Sequence, residues 1–112
     1  MSISLTIRYK SPEREYQFIP VAAQKDFKDY WLPPSRELGL KFIPRFLDGY
    51  PMLVLNKETI PPVMDELKRL KAYWLGRLDN SDYYYFLRRF DTIIRALEQA
   101  LDEFDEIEYV RV

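Results

Sequence analysis

From Ser81 to Phe104 the large apolar residues recur at steps of three and four: Tyr83, Phe86, Leu87, Phe90, Ile93, Ile94, Leu97, Leu101 and Phe104. That spacing puts them on one stripe of a long α-helix, with Arg88, Asp91, Arg95, Glu98, Gln99 and Asp102 on the polar side. Ser81 is placed to cap the first turn, and Asp82 puts negative charge where the helix dipole favours it. So broad a stripe is a core face, and the rest of the chain must cover it.

Ile3, Leu5, Ile7 and Tyr9 alternate with Ser4, Thr6, Arg8 and Lys10, the period-two pattern of a half-buried strand. Ser11-Pro12-Glu13 is turn chemistry, and the alternation resumes over Glu15–Phe18, predicting a hairpin closed by Pro20. The period changes over Ala22–Leu32, where Phe27, Tyr30 and Trp31 share a helical face opposite Lys25, Asp26, Lys28 and Asp29. Pro33-Pro34 predicts a break at Leu32–Pro33, then a short helical piece, Pro34–Leu38. Gly39 follows at the left-handed C-cap position.

Leu40–Leu55 is strongly apolar but punctuated by Pro44 and Pro51, with Asp48-Gly49 as a hairpin signal. Met52–Leu55 is the better strand, while Leu40–Leu47 reads as an edge strand or a buried connector. Thr59 leads into Pro61-Pro62 and a second amphipathic helix marked by Val63, Met64, Leu67, Leu70, Trp74 and Leu78. Gly76 is either a weak point in that helix or its end. Asp79-Asn80 turns directly into the long helix, so the two helices are antiparallel neighbours. In the tail, Ile107–Val112, alternation puts Ile107 and Tyr109 on one face and Val110 and Val112 on the other, so the strand reads as one covered on both sides. The expected architecture is a single α+β domain, residues 1–112. A small, mainly antiparallel sheet (the N-terminal hairpin, Met52–Leu55 and Ile107–Val112) carries two long antiparallel helices and a shorter Pro-broken helix on one face.

Composition changes the picture mainly by exclusion. With 17 basic and 18 acidic residues the net charge is −1, which offers no bulk field for DNA or an anionic membrane. The chain has no Cys and no His, which removes disulfides, thiol chemistry, the common zinc and iron–sulfur ligands and the usual general base. No stretch reads as a membrane span or a signal-peptide core, and a soluble cytoplasmic protein is expected. The acids at Asp102, Glu103, Asp105, Glu106 and Glu108, and the run Asp79-Asn80-Ser81-Asp82, lack the spaced loop of a Ca²⁺ site. No metal and no cofactor is expected. Ser2, Ser4, Ser11, Ser35 and Ser81 have no recognisable base partner, and no acid interrupts an apolar stripe. No catalytic residue is therefore assigned.

Aromatic residues make up 16% of the chain, including nine Tyr. Tyr84 and Tyr85 fall off the stripe of the long helix, Tyr73 falls off the stripe of its own helix, and Arg88 and Arg89 stand one turn beyond Tyr84 and Tyr85. Tyr and Arg together are the composition of interface hot spots. The same cluster resembles a base-stacking patch, but ordinary i,i+4 surface pairing accounts for it in a chain of this charge. The reading that follows is a non-enzymatic protein–protein interaction domain, with another protein or a second copy of itself as partner. Its candidate interface is Tyr73, Tyr84, Tyr85, Arg88 and Arg89. The alternative is a small-molecule-binding or hydrolytic protein with a site in an aromatic cleft near Leu40–Leu55, converging on Asp29, Tyr30 or Arg45. In size, charge balance and α+β pattern the chain resembles small bacterial immunity proteins, which neutralise a toxin by binding it; that resemblance of type assigns no residues.

Overall fold

The computed structural model describes residues 2–47, 53–77 and 84–112, with Tyr84 and Tyr85 described in backbone only. Asp48-Gly49, Met52, Leu78 and the turn before the long helix lie outside the described residues. Strands β1 (Ser2–Tyr9), β2 (Gln17–Ala23), β3 (Val54–Leu55) and β4 (Ile107–Arg111) form one antiparallel sheet in the order β2-β1-β4-β3. The described helices are α1 (residues 24–37), α2 (Ile60–Leu75) and α3 (Tyr84–Asp102). They pack on one face of the sheet, and a single core cluster joins Leu5, Ile7 and Val110 of the strands to Trp31, Leu67, Phe90 and Leu97 of the helices. The α+β architecture read from the sequence is the one observed. No helix among the described residues is long and apolar enough to cross a membrane.

Strand β2 runs past Pro20 to Ala23, which is possible because β2 is an edge strand. Opposite the step from Ile3 to Ser4, paired with Ala22 and Pro20, β2 carries one extra residue, Val21, which turns into the core. A second bulge corrects the two-sided reading of the tail. Tyr9 pairs with Ile107 and Arg8 with Tyr109, so Glu108 is the extra residue. Ile107 and Val110, three apart, therefore both enter the core, and Tyr109 turns to the opposite face.

The expected break at Leu32–Pro33 is absent. The chain stays helical from Gln24–Asp26 through a π-turn at Phe27–Trp31 into Leu32–Glu37, with the prolines in the first turn of the last piece. The wider π-turn is closed by the Leu32 N–H donating to the Phe27 carbonyl. Pro34 has no N–H for the carbonyl of Tyr30, and the indole Nε1–H of Trp74 donates to that carbonyl instead, at 2.9 Å. A Schellman motif ends the helix: Leu40 N–H donates to Ser35 O, Gly39 N–H donates to Arg36 O, and Gly39 has φ +70°.

Leu40–Leu47 is the buried connector, closing on a 3₁₀ turn at Ile43–Leu47. Gly76 is the cap that ends α2. An aromatic spine ties these parts together. Phe46 stacks on Phe27, Phe27 on Trp31, and Trp31 on Phe90 with ring centroids 4.6 Å apart. Phe86 then meets both Phe90 and Trp74 edge-on.

Candidate functional site

Of the five residues expected to form an interface, the structure ties Tyr73 to its own chain. Its hydroxyl donates to Glu37, its ring meets Trp74 edge-on, and the Arg77 guanidinium lies 3.6 Å from its centroid. The side chains of Tyr84 and Tyr85 lie outside the described residues. Arg89 is exposed, and Arg88 helps line an open groove of about 440 Å³ between α2 and α3, with Lys71, Leu75, Leu87, Asp91, Thr92 and Arg95. Across that groove the Lys71 ammonium donates to Asp91 at 2.6 Å.

Much of the described part of the stretch favoured for a small-molecule cleft packs into the core. Leu40, Ile43, Phe46, Leu53 and Leu55 are all core residues. Tyr30 rests edge-on against Trp74 and Phe86, and Asp29 and Arg45 are exposed.

A carboxylate does sit on an apolar stripe, contrary to the sequence reading: Glu66 is buried between Val63 and Leu70 on α2. It accepts backbone N–H bonds from Lys41, Phe42 and Ile43 at 3.0 to 3.2 Å, holding the entry to the 3₁₀ turn. Those three donors would otherwise have no helical partner, and a carboxylate satisfies them as a bound anion would. No group of acids suited to a metal ion is present among the described residues.

The surface that sequence reasoning missed is the sheet face opposite the helices. Three of the five large apolar side chains exposed among the described residues lie there: Phe18 at 67%, Val54 at 58% and Tyr16 at 44%. Register places Phe18, Thr6, Arg111 and Val54 in one row across all four strands. Beside it runs a ladder of rings and guanidinium groups. Phe18 packs on Tyr16 at 5.9 Å, Arg8 lies 5.0 Å from the Tyr16 centroid, and Arg111 lies 4.7 Å from the Tyr109 centroid. Arg8 links β1 to β4 through an ion pair with the Glu108 carboxylate at 3.0 Å. The Tyr109 side chain, with help from Glu108, raises the Arg8 guanidinium pKa above its usual value against opposing desolvation. Arg8 and Arg111 each lie against a tyrosine ring on the solvent side of the sheet. The alternation of Tyr16 and Phe18 was legible, but not which face of the strand the helices leave bare.

Comparison with known proteins finds no family model, no curated protein and no solved structure that matches this chain.

Proposed function

We propose that this chain is a non-enzymatic protein-interaction domain that docks its partner on the bare face of the sheet. The observation that carries the reading is the solvent-facing ladder of Phe18, Tyr16, Arg8, Tyr109 and Arg111. Aromatic rings and arginines supply most hot-spot energy in protein interfaces. The fitting partner presents an apolar patch, to cover Phe18 and Val54, bordered by carboxylates for Arg8 and Arg111. The buried carboxylate among the described residues, Glu66, is engaged by three backbone donors, which agrees with a binding rather than a catalytic role.

The test is a photo-crosslinking amino acid placed at position 18 in the native host, with Lys25 as the control position. A specific adduct at position 18, lost when Tyr16→Ser and Arg111→Ser are added, is the expected result. Both substitutions face solvent and should shift the melting temperature little. Equal labelling from positions 18 and 25 would defeat the proposal.

A further inference from the structure

The hydrogen bonds of the sheet determine what the outer edge of β2 presents to solvent. In an antiparallel strand the N–H and C=O of one residue point to the same side, and that side alternates along the chain. The Val112 N–H donates to the Leu53 carbonyl on the β3 side, so Arg111 turns its backbone groups toward β1. Its partner Thr6 then faces β4, as does Lys10, whose N–H donates to the Glu106 carbonyl. Leu5 and Ile7 therefore face β2, where they bond Ile19 and Gln17. Phe18, between those two, points its N–H and C=O away from the sheet, and by the same alternation so do Tyr16 and Pro20. Pro20 has no N–H and offers only its carbonyl. Charged side chains usually guard such an edge, yet Gln17–Ala23 contains none. Phe18, at 67%, is the most exposed large apolar side chain among the described residues.

We infer that this edge is a self-association site, at which β2 pairs antiparallel with β2 of a second copy across a twofold axis at Phe18. The open stretch is bounded by the β1–β2 turn on one side and the Val21 bulge on the other, which leaves Tyr16–Pro20 with Phe18 in the middle. A twofold axis at its middle residue makes that stretch its own partner. The two Phe18 residues exchange both backbone bonds, and each Tyr16 N–H donates to the Pro20 carbonyl of the other copy. Only the Tyr16 carbonyls, facing Pro20, go unbonded, and they lie at the ends of the paired stretch, where water reaches them. Tyr16, Phe18 and Pro20 are all exposed. Ring therefore meets ring at the axis, and each Tyr16 meets the other copy's Pro20, as cross-strand pairs do within a sheet. The opposite edge strand, β3, has only two residues and is too short for such pairing. The product is a continuous sheet of eight strands, four from each copy, with its bare face doubled. The contact uses the edge of the strand, so it does not depend on what docks on that face.

Because the chain has no Cys, single introduced cysteines report the contact. A hydrogen-bonded antiparallel pair sets its Cα atoms about 5.5 Å apart, within reach of a disulfide. Phe18→Cys should therefore give a disulfide-linked dimer under mild oxidation. Arg111→Cys, in the same row but two strands further in, should not, because its counterpart lies roughly 24 Å away. Light scattering coupled to size exclusion, at ~100 μM chain, should give wild-type protein twice the 13.6 kDa chain mass. Phe18→Lys sets like charges opposite each other at the axis and should raise the dissociation constant about tenfold or more. Position 18 faces solvent, so the melting temperature of that variant should change little. If Phe18→Lys does not melt cooperatively, the two cysteine variants decide alone. A wild type that is monomeric at every concentration overturns the inference, as does a dimer indifferent to Phe18→Lys. A Phe18→Cys protein that does not cross-link, or an Arg111→Cys protein that cross-links as readily, overturns it as well.

Discussion

Glu66 shows how one residue fixes the path of a distant segment. Replacing it by Ala would leave the N–H groups of Lys41, Phe42 and Ile43 short of an acceptor in a largely dry setting. With each stranded donor costing about 1–3 kcal/mol, partly relieved by water, the expected loss is about 2–4 kcal/mol in urea denaturation. Glu66→Gln keeps one acceptor oxygen and should lose roughly half as much, whereas near-neutrality of Glu66→Ala would refute the anchoring role. Tyr9 gives the pH dependence. Burial raises its pKa above the usual value near 10, against the lowering effect of Arg14, whose guanidinium sits 3.6 Å from the ring centroid. The folded state therefore prefers the neutral phenol. That contribution is whole below about pH 10, the unfolded value, and fades as the pH climbs through the raised folded value. Tyr9→Phe cannot ionise, so its denaturation midpoint should fall less than that of wild type between pH 9 and 11. Parallel curves would clear Tyr9 of any part in alkaline unfolding.

At the scale of elements, the Glu108 bulge decides which side of β4 is core. Deleting Glu108 leaves Ile107 opposite Tyr9 and Tyr109 opposite Arg8, so inward and outward faces survive although the ion pair to Arg8 is lost. Inserting one residue between Tyr109 and Val110 instead drives Val110 outward. Circular dichroism melts should show the deletion cooperative and the insertion not; the reverse order would mean the register is set elsewhere. The bulge also marks where sequence stopped being informative. The helical stripes of α2 and α3 and the alternation of β1 were legible because each is a local period. Glu108 becomes an extra residue only against β1, and neither strand announces it alone. Pro33-Pro34 read as a stop because the donor that rescues the Tyr30 carbonyl, Trp74, lies 44 residues away. The bare sheet face escaped for the same reason, since its ladder is assembled from β2, β1 and β4.

Across the whole molecule the aromatic spine joins α1, α2, α3 and the 3₁₀ connector into one unit. Phe90 is at its centre, fully buried and stacked on Trp31. Phe90→Ala should cost about 3–5 kcal/mol, whereas Arg89→Ala, one residue along on the exposed side, should cost well under 1 kcal/mol. Guanidinium denaturation compares them, and similar losses would mean that the spine does not organise the core. The sheet order has a consequence for the making of this protein. Ile7 and Val110 are direct partners yet 103 positions apart. At about 5–20 residues per second a ribosome takes ~5–20 s to bring the second after the first. For that interval β1 can pair with β2 but not with β4, and Leu5 and Ile7 stay without the cover that α3 and β4 supply. The nascent chain thus carries an open strand edge and an apolar surface through most of its synthesis, a natural target for a ribosome-associated chaperone.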